Sequence, residues 1–155
     1  MDFEERAKNA VGREFVAFVS AGQDYCVDIA VVREIRGWAQ PTPMPHSPEY
    51  VQGLFNLRGS VIPIVDLAAR LGLPPTGSSD RHVVIVVKIR DQLWGIVVDA
   101  VSDILSVSDA ALQKTPDVGS AKTSAFVSSV ISHEDRMLRM IDLEVLLPVT
   151  REVAA

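Results

Sequence analysis

The sequence predicts a mainly β protein: two small five-stranded barrels sharing one hydrophobic core, with short helices at their ends. Three observations predict it. Apolar residues make up 48% of the 155 positions and aromatics only 6%, with Val and Ile dominant, a composition suited to pleated, half-buried strands. The apolar runs are short and separated by turn residues. The chain also resembles itself. "VIPIVDLAARLG" and "MLRMIDLEVLLP" are each a strand, an Asp-Leu step and a short apolar helix, with Asp66 and Asp142 lying 76 positions apart. "CVDIAVVREI" (Cys26 to Ile35) matches "GIVVDAVSDI" (Gly95 to Ile104) at an offset of 69, which sets Val32 on Val101, Glu34 on Asp103 and Ile35 on Ile104. Self-similarity kept in order over several elements is an architectural signal. The copies are placed at about 14–72 and 82–148, between a lead-in (1–13) and a tail (149–155). Five short strands in so few residues are best protected by closure into a small barrel. Neither copy alone would bury enough surface, so the two are expected to share an apolar seam.

Taken in order, residues 1–13 suggest a short helical lead-in. "EFVAFVS" is a strand, "AGQD" a turn and "YCVDIAVV" the returning strand, with "REIRGW" leading on to "AQPTPMPHSPE", which its prolines keep out of helix and central strand. "YVQGLFNLR" and "SVIPIVD" form a hairpin folded at Arg58-Gly59. Pro63 has no N–H for a ladder and predicts an edge strand or a bulge. Asp66 is placed to cap the helix "LAARLG", and Gly72 to stop it. After the loop "LPPTGSSD" come the strands "RHVVIVVKI", "QLWGIVVDAV" and "DILSVS". A long loop is expected over 108–125. "FVSSVIS" and "RMLRMID" then form a hairpin about "HED", and "DLEVLL" a last helical turn ended by Pro148.

A net charge of −5 argues against nucleic-acid binding, which needs a basic stripe. Cys26 is the only cysteine, so no internal disulfide framework exists and a reducing compartment is the default. The charged start "MDFEERAKNAVGRE" lacks the apolar core of a secretory signal, and "VVIVV" is too short to span a bilayer. A cytoplasmic protein without direct membrane insertion is expected. Enzyme signatures are missing. "GSAKTS" has Ala121 where a phosphate loop needs glycine before the lysine, and His133-Glu134 lacks the second histidine of a zinc protease motif. His46, His82 and His133 are scattered, so neither metal nor cofactor is expected. Cys26 reads as a small buried residue, since its counterpart is Gly95. Asp66 and Asp142 read as helix caps rather than an acid–base pair.

What stands out is "GLFNLRGSVIPIVDL". At the later offset, Arg58-Gly59 falls on Glu134-Asp135, so the turn is kept and its chemistry is not. From the residues alone Arg58 is either a solvated turn residue or an interface anchor, and the missing catalytic chemistry favours a binding module.

The blocks "VREIRGW", "VQGLFNLRGSVIPIVDLAARLG", "VVIVV", "WGIVVDAVSDIL" and "RMLRMIDLEVLL", in this order over residues 14–148, resemble the CheW family of bacterial chemotaxis coupling proteins. The resemblance implies two five-stranded SH3-like barrels about a common core, and a non-catalytic adaptor that links chemoreceptor cytoplasmic tips to the regulatory domain of the histidine kinase CheA in membrane-associated arrays. It implies partner-binding roles for Arg58, Asn56 and Gly59 of the N-L-R-G turn, for Val32, Glu34 and Ile35 of "VVREI", and for Gly53. It also sets Val83, Val84, Val98 and Ile104 along a receptor groove between the barrels, where a core role competes for each valine. Two alternatives remain: a scaffold of this type serving another receptor–kinase pathway, and a small-ligand sensor built on the barrels, which would need a polar pocket with convergent titratable groups.

Overall fold

The computed structural model describes residues 3–5, 13–108, 111–113 and 124–148. Residues 3–5 are helical; the remainder of the lead-in, most of the 108–125 loop with all but the last residue of its "GSAKTS" segment, and the tail lie outside the described residues. The chain proceeds through β1 (Arg13–Ser20), β2 (Gln23–Asp28), a 3-10 turn (Ile29–Val31), β3 (Val32–Gly37), β4 (Val51–Leu57), β5 (Ser60–Asp66) and helix α1 (Leu67–Arg70). β6 (Val83–Ile89), β7 (Gln92–Val98), β8 (Ala100–Val107), β9 (Leu112–Gln113), β10 (Val127–His133), β11 (Arg136–Ile141) and helix α2 (Leu143–Leu146) follow.

These strands form a six-stranded sheet, β8-β1-β2-β11-β10-β9, and a five-stranded sheet, β3-β6-β7-β5-β4. The sixth strand corrects the expected count: the two residues of β9, inside the predicted loop, pair with Val130 and Ile131. The sheets also cut across the sequence copies. β1 and β2 join β8–β11, while β6 and β7 join β3–β5. The exchange begins where one continuous strand was expected. Asp28 accepts from the Ala30 amide and ends β2, and Ile29–Val31 turn the chain from one sheet into the other.

Pairing follows the same pattern in both sheets. The parallel pair Ile64 with Gly95 in β5–β7 becomes Met140 with Cys26 in β11–β2 when moved by the offsets 76 and 69. Likewise Glu34 with Val86 becomes Asp103 with Ala17, each beside a register shift.

Alternation along the strands builds three packed layers. Phe15, Ala17, Cys26, Leu105, Ile131 and Leu138 fill the six-stranded barrel. Ile62, Ile64, Val84, Val86 and Val97 fill the five-stranded one. Between them lies the shared seam, which includes Phe18, Val27, Leu67, Ile85, Trp94, Ile96 and Leu146. β1, β6 and β7 are therefore buried on both faces, which explains unbroken runs such as "VVIVV".

Pro63 is not on an edge strand, because β5 lies between β4 and β7. Its partner in β4 is Leu54, whose amide and carbonyl are both turned the other way, onto Thr42. The pairing of β5 with β7 starts one residue later, at Ile64. Pro63 thus occupies a position where no ladder donor is required. The two helices begin as the sequence predicts: Asp66 accepts from the Ala69 amide, and Asp142 from those of Glu144 and Val145.

Candidate partner-binding surface

The β4–β5 hairpin closes through a two-residue turn, Arg58-Gly59, flanked by the pair Leu57 and Ser60. Both turn residues have positive φ, 50° and 88°, the geometry that matches the twist of a tight hairpin. Each residue of N-L-R-G has its own task. The Asn56 carboxamide oxygen accepts from the Gly59 amide at 3.0 Å and holds the turn. Leu57 is buried in the barrel, and Gly59 adopts its φ without a Cβ penalty. Arg58 projects outward with 70% of its side chain exposed. Its left-handed backbone is accepted at a solvent-facing turn position, as is that of Glu134 in the counterpart turn.

Arg58 does not face solvent alone. Its guanidinium donates to the Glu34 carboxylate at 2.7 Å, and Arg36 donates to the other oxygen at 2.9 Å. Two residues singled out separately in the sequence therefore form one ion pair bridging β3 and the β4–β5 turn. The Arg58 hydrogen bond foremost, assisted by Arg36 and opposed by partial desolvation, holds the Glu34 carboxyl below its usual range. Beside the turn, Val61 is 65% exposed. It shares a strand face with Pro63 and Val65, and Val65 enters the seam. Sequence reasoning passed over Val61 and Arg36, although the two-residue alternation of β5 marks Val61 as the member of its face farthest from the seam.

The remaining candidates separate by burial. Ile35, Val83 and Ile104 are partly buried against the seam, and Val31 and Val101, which the sequence reading did not pick, occupy the same rim. Val32, Val84 and Val98 are fully buried, Val84 inside the barrel and the other two in the seam. They have no surface to present, and their part is to pack the strands that carry the exposed residues. Gly53 is also buried, with φ 148°. A Cβ there would overlap the Thr42 carbonyl, so the glycine admits the Thr42–Leu54 bridge.

The counterpart region of the other barrel has different chemistry. Glu134 at the β10–β11 turn has φ 55°, close to that of Arg58, but carries the opposite charge. The arginine is two positions on: Arg136 bridges Asp103 at 3.2 Å and Asp24 at 3.4 Å. Near it Met137, the counterpart of Val61, is also 65% exposed.

Among the described residues no cluster of three or more His, Cys, Asp or Glu could hold a metal ion. Cys26 is fully buried in the six-stranded barrel, and desolvation pushes its thiol up to about 12.

Comparison with known proteins agrees with this geometry. The family model for CheW-like domains matches residues 14–151. A probable chemotaxis protein CheW of Rhizobium etli is 46% identical over the full length of both chains. The chemotaxis protein CheW of Rhizobium meliloti is 48% identical over 93% of each. The crystal structure of the scaffolding protein TtCheW from Thermoanaerobacter tengcongensis superimposes with a TM-score of 0.82 at 32% identity, covering 90% of this chain and 95% of that one. With its two barrels, its shared seam and the N-L-R-G turn standing out from one of them, the chain belongs to the CheW-like domain family.

Proposed function

We propose that this protein is a non-catalytic adaptor that couples chemoreceptor cytoplasmic tips to the regulatory domain of the histidine kinase CheA. Residues 14–148 act as one unit built from two copies, about 14–72 and 82–148. The observation that carries this reading is the N-L-R-G turn. Asn56 and Gly59 hold Arg58 out at the end of the five-stranded barrel, next to exposed Val61 and paired with Glu34. An exposed arginine beside apolar surface is a common anchor for protein partners.

The receptor tip docks as a helix across the rim of the seam, where Ile35, Val83 and Ile104 lie partly exposed. Arg58 reaches a carboxylate or the C-terminal carbonyls of that helix, exchanging part of its bond to Glu34. The kinase domain, a like-folded partner, meets an end of a barrel. The protein works on the cytoplasmic face and is recruited to receptor arrays by these contacts. Among the described residues no helix is long and apolar enough to cross a membrane.

Isothermal titration against a purified receptor signalling fragment and, separately, the kinase regulatory domain tests the reading. Saturable one-to-one binding to each supports it. Binding to neither, with a natively folded sample, refutes it.

A further inference from the structure

Two arginines of the five-stranded barrel reach across to the last helix of the other barrel. Arg70, at the end of α1, has its guanidinium 4.5 Å from the ring centre of Tyr50 and 4.9 Å from that of Phe126. Its Nε donates to the Leu146 carbonyl. Tyr50 precedes β4 and Phe126 precedes β10, so the rings belong to different barrels. The offset of 76 relates Tyr50 to Phe126 and Arg70 to Leu146. Arg70 thus lies where the copies meet, bonded to its own counterpart between two equivalent rings.

Arg90, at the β6–β7 turn, adds bonds to the carbonyls of Glu144, Leu147 and Pro148 at 2.9, 3.0 and 3.3 Å. Glu144, like the Leu146 bound by Arg70, has one of the C-terminal carbonyls that a helix cannot satisfy by itself, and Leu147 and Pro148 follow directly after the helix. α1 ends differently, closed by its own chain: the Gly72 amide donates to Ala69, that of Leu73 donates to Ala68, and Gly72 has φ 82°. The counterpart of Arg90 is Ala21, which has no comparable reach. Among the described residues, the arginine bonds onto a terminal helix across the seam thus run one way, from Arg70 and Arg90 to α2. The large hydrophobic cluster of the seam that these arginines border is held by burial, which is non-directional. A planar guanidinium held by two rings and a carbonyl supplies the missing direction.

We propose that Arg70, supported by Arg90, is a latch that sets the angle between the barrels, and that docking at one face is felt at the other through this latch. The second half rests on the adaptor function above; the first does not.

The test uses the full chain with cysteines introduced at Lys88 and Ser132, exposed positions on β6 and β10 in different barrels. Buried Cys26, with its raised thiol, does not compete for the spin label. Pulsed electron spin resonance of the parent is expected to give one narrow distance distribution. Arg70→Met, which keeps length and apolar contact, is expected to broaden it by several Å, and Arg70→Lys to fall between. An unchanged distribution in Arg70→Met overturns the latch. Should Arg70→Met lose its native circular dichroism, Arg70→Lys decides in its place, broadening supporting the latch and a parental distribution overturning it.

For transmission, the affinity of the receptor fragment is measured with and without saturating kinase domain. A change of about fivefold or more, lost in Arg70→Lys, supports transmission. Equal affinities in the parent overturn it. A parent that binds neither fragment removes the adaptor function and the transmission with it, while the distance measurement still judges the latch.

Discussion

Gly53→Ala separates a contact role from a packing role, because the N-L-R-G neighbourhood suggested the first and the structure places the residue in the second. Two costs combine. At φ 148° an alanine occupies a backbone region that L residues rarely adopt, a strain of about 1–3 kcal/mol. Its Cβ would also drive into the Thr42 carbonyl and open the bridge to Leu54, whose two hydrogen bonds are 2.9 and 2.8 Å long. At about 0.5–1.5 kcal/mol for each bond, the sum is about 2–6 kcal/mol. A domain has only about 5–15 kcal/mol of stability, so the loss is large. Urea titration followed by tryptophan fluorescence is expected to show a lower midpoint with an unchanged slope, and thermal melting a drop of roughly 10 °C. Below the new midpoint, receptor-fragment affinity is expected to stay close to that of the parent. A stability change within about 0.5 kcal/mol accompanied by lost binding would refute this account and make Gly53 a contact residue.

Arg58→Glu is expected to abolish capture of a receptor signalling fragment while circular dichroism stays native; undiminished capture would remove Arg58 from the site. Glu34→Lys sets a third cation beside Arg36 and Arg58, and affinity for at least one partner is expected to fall at least tenfold, with unchanged affinity for both dismissing Glu34. The Glu34 carboxyl, followed by NMR, is expected to titrate below the ordinary glutamate value near 4.3, and to move up in Arg58→Ala. Because its folded value is depressed, its contribution to stability is complete above the unfolded value and is lost as pH falls through the folded one. Arg58 is largely exposed and Glu34 partly so, and screening by water keeps that contribution small. Cys26 is expected to resist a thiol reagent at pH 8 in the native protein and to react promptly in urea; fast native labelling would contradict its burial.

Most of the elements, the turn and the caps were legible because their causes are local. Asp66 and Asp142 stand directly before apolar helical turns, and each caps as its position requires. Arg58-Gly59 lies between two strand patterns separated by two residues, and it forms the tight hairpin. Self-similarity announced two like sheets, since repeated patterns fold into repeated elements.

Non-local pairing decided the rest. Nothing between Asp28 and Val32 in the sequence says that β3 leaves the sheet of β1 and β2. The choice depends on β6, some fifty residues later, offering an edge with matching register and on a seam that must be filled from both sides. Burial likewise sorted Val32, Val84 and Val98 from Ile35, Val83 and Ile104, because strand valines alternate between layers and only the third dimension tells which layer ends at water. The same holds for Glu34 and Arg58, twenty-four positions apart. The amino-acid order determined their charges and their strands, and the closure of the barrel brought those charges within hydrogen-bonding distance.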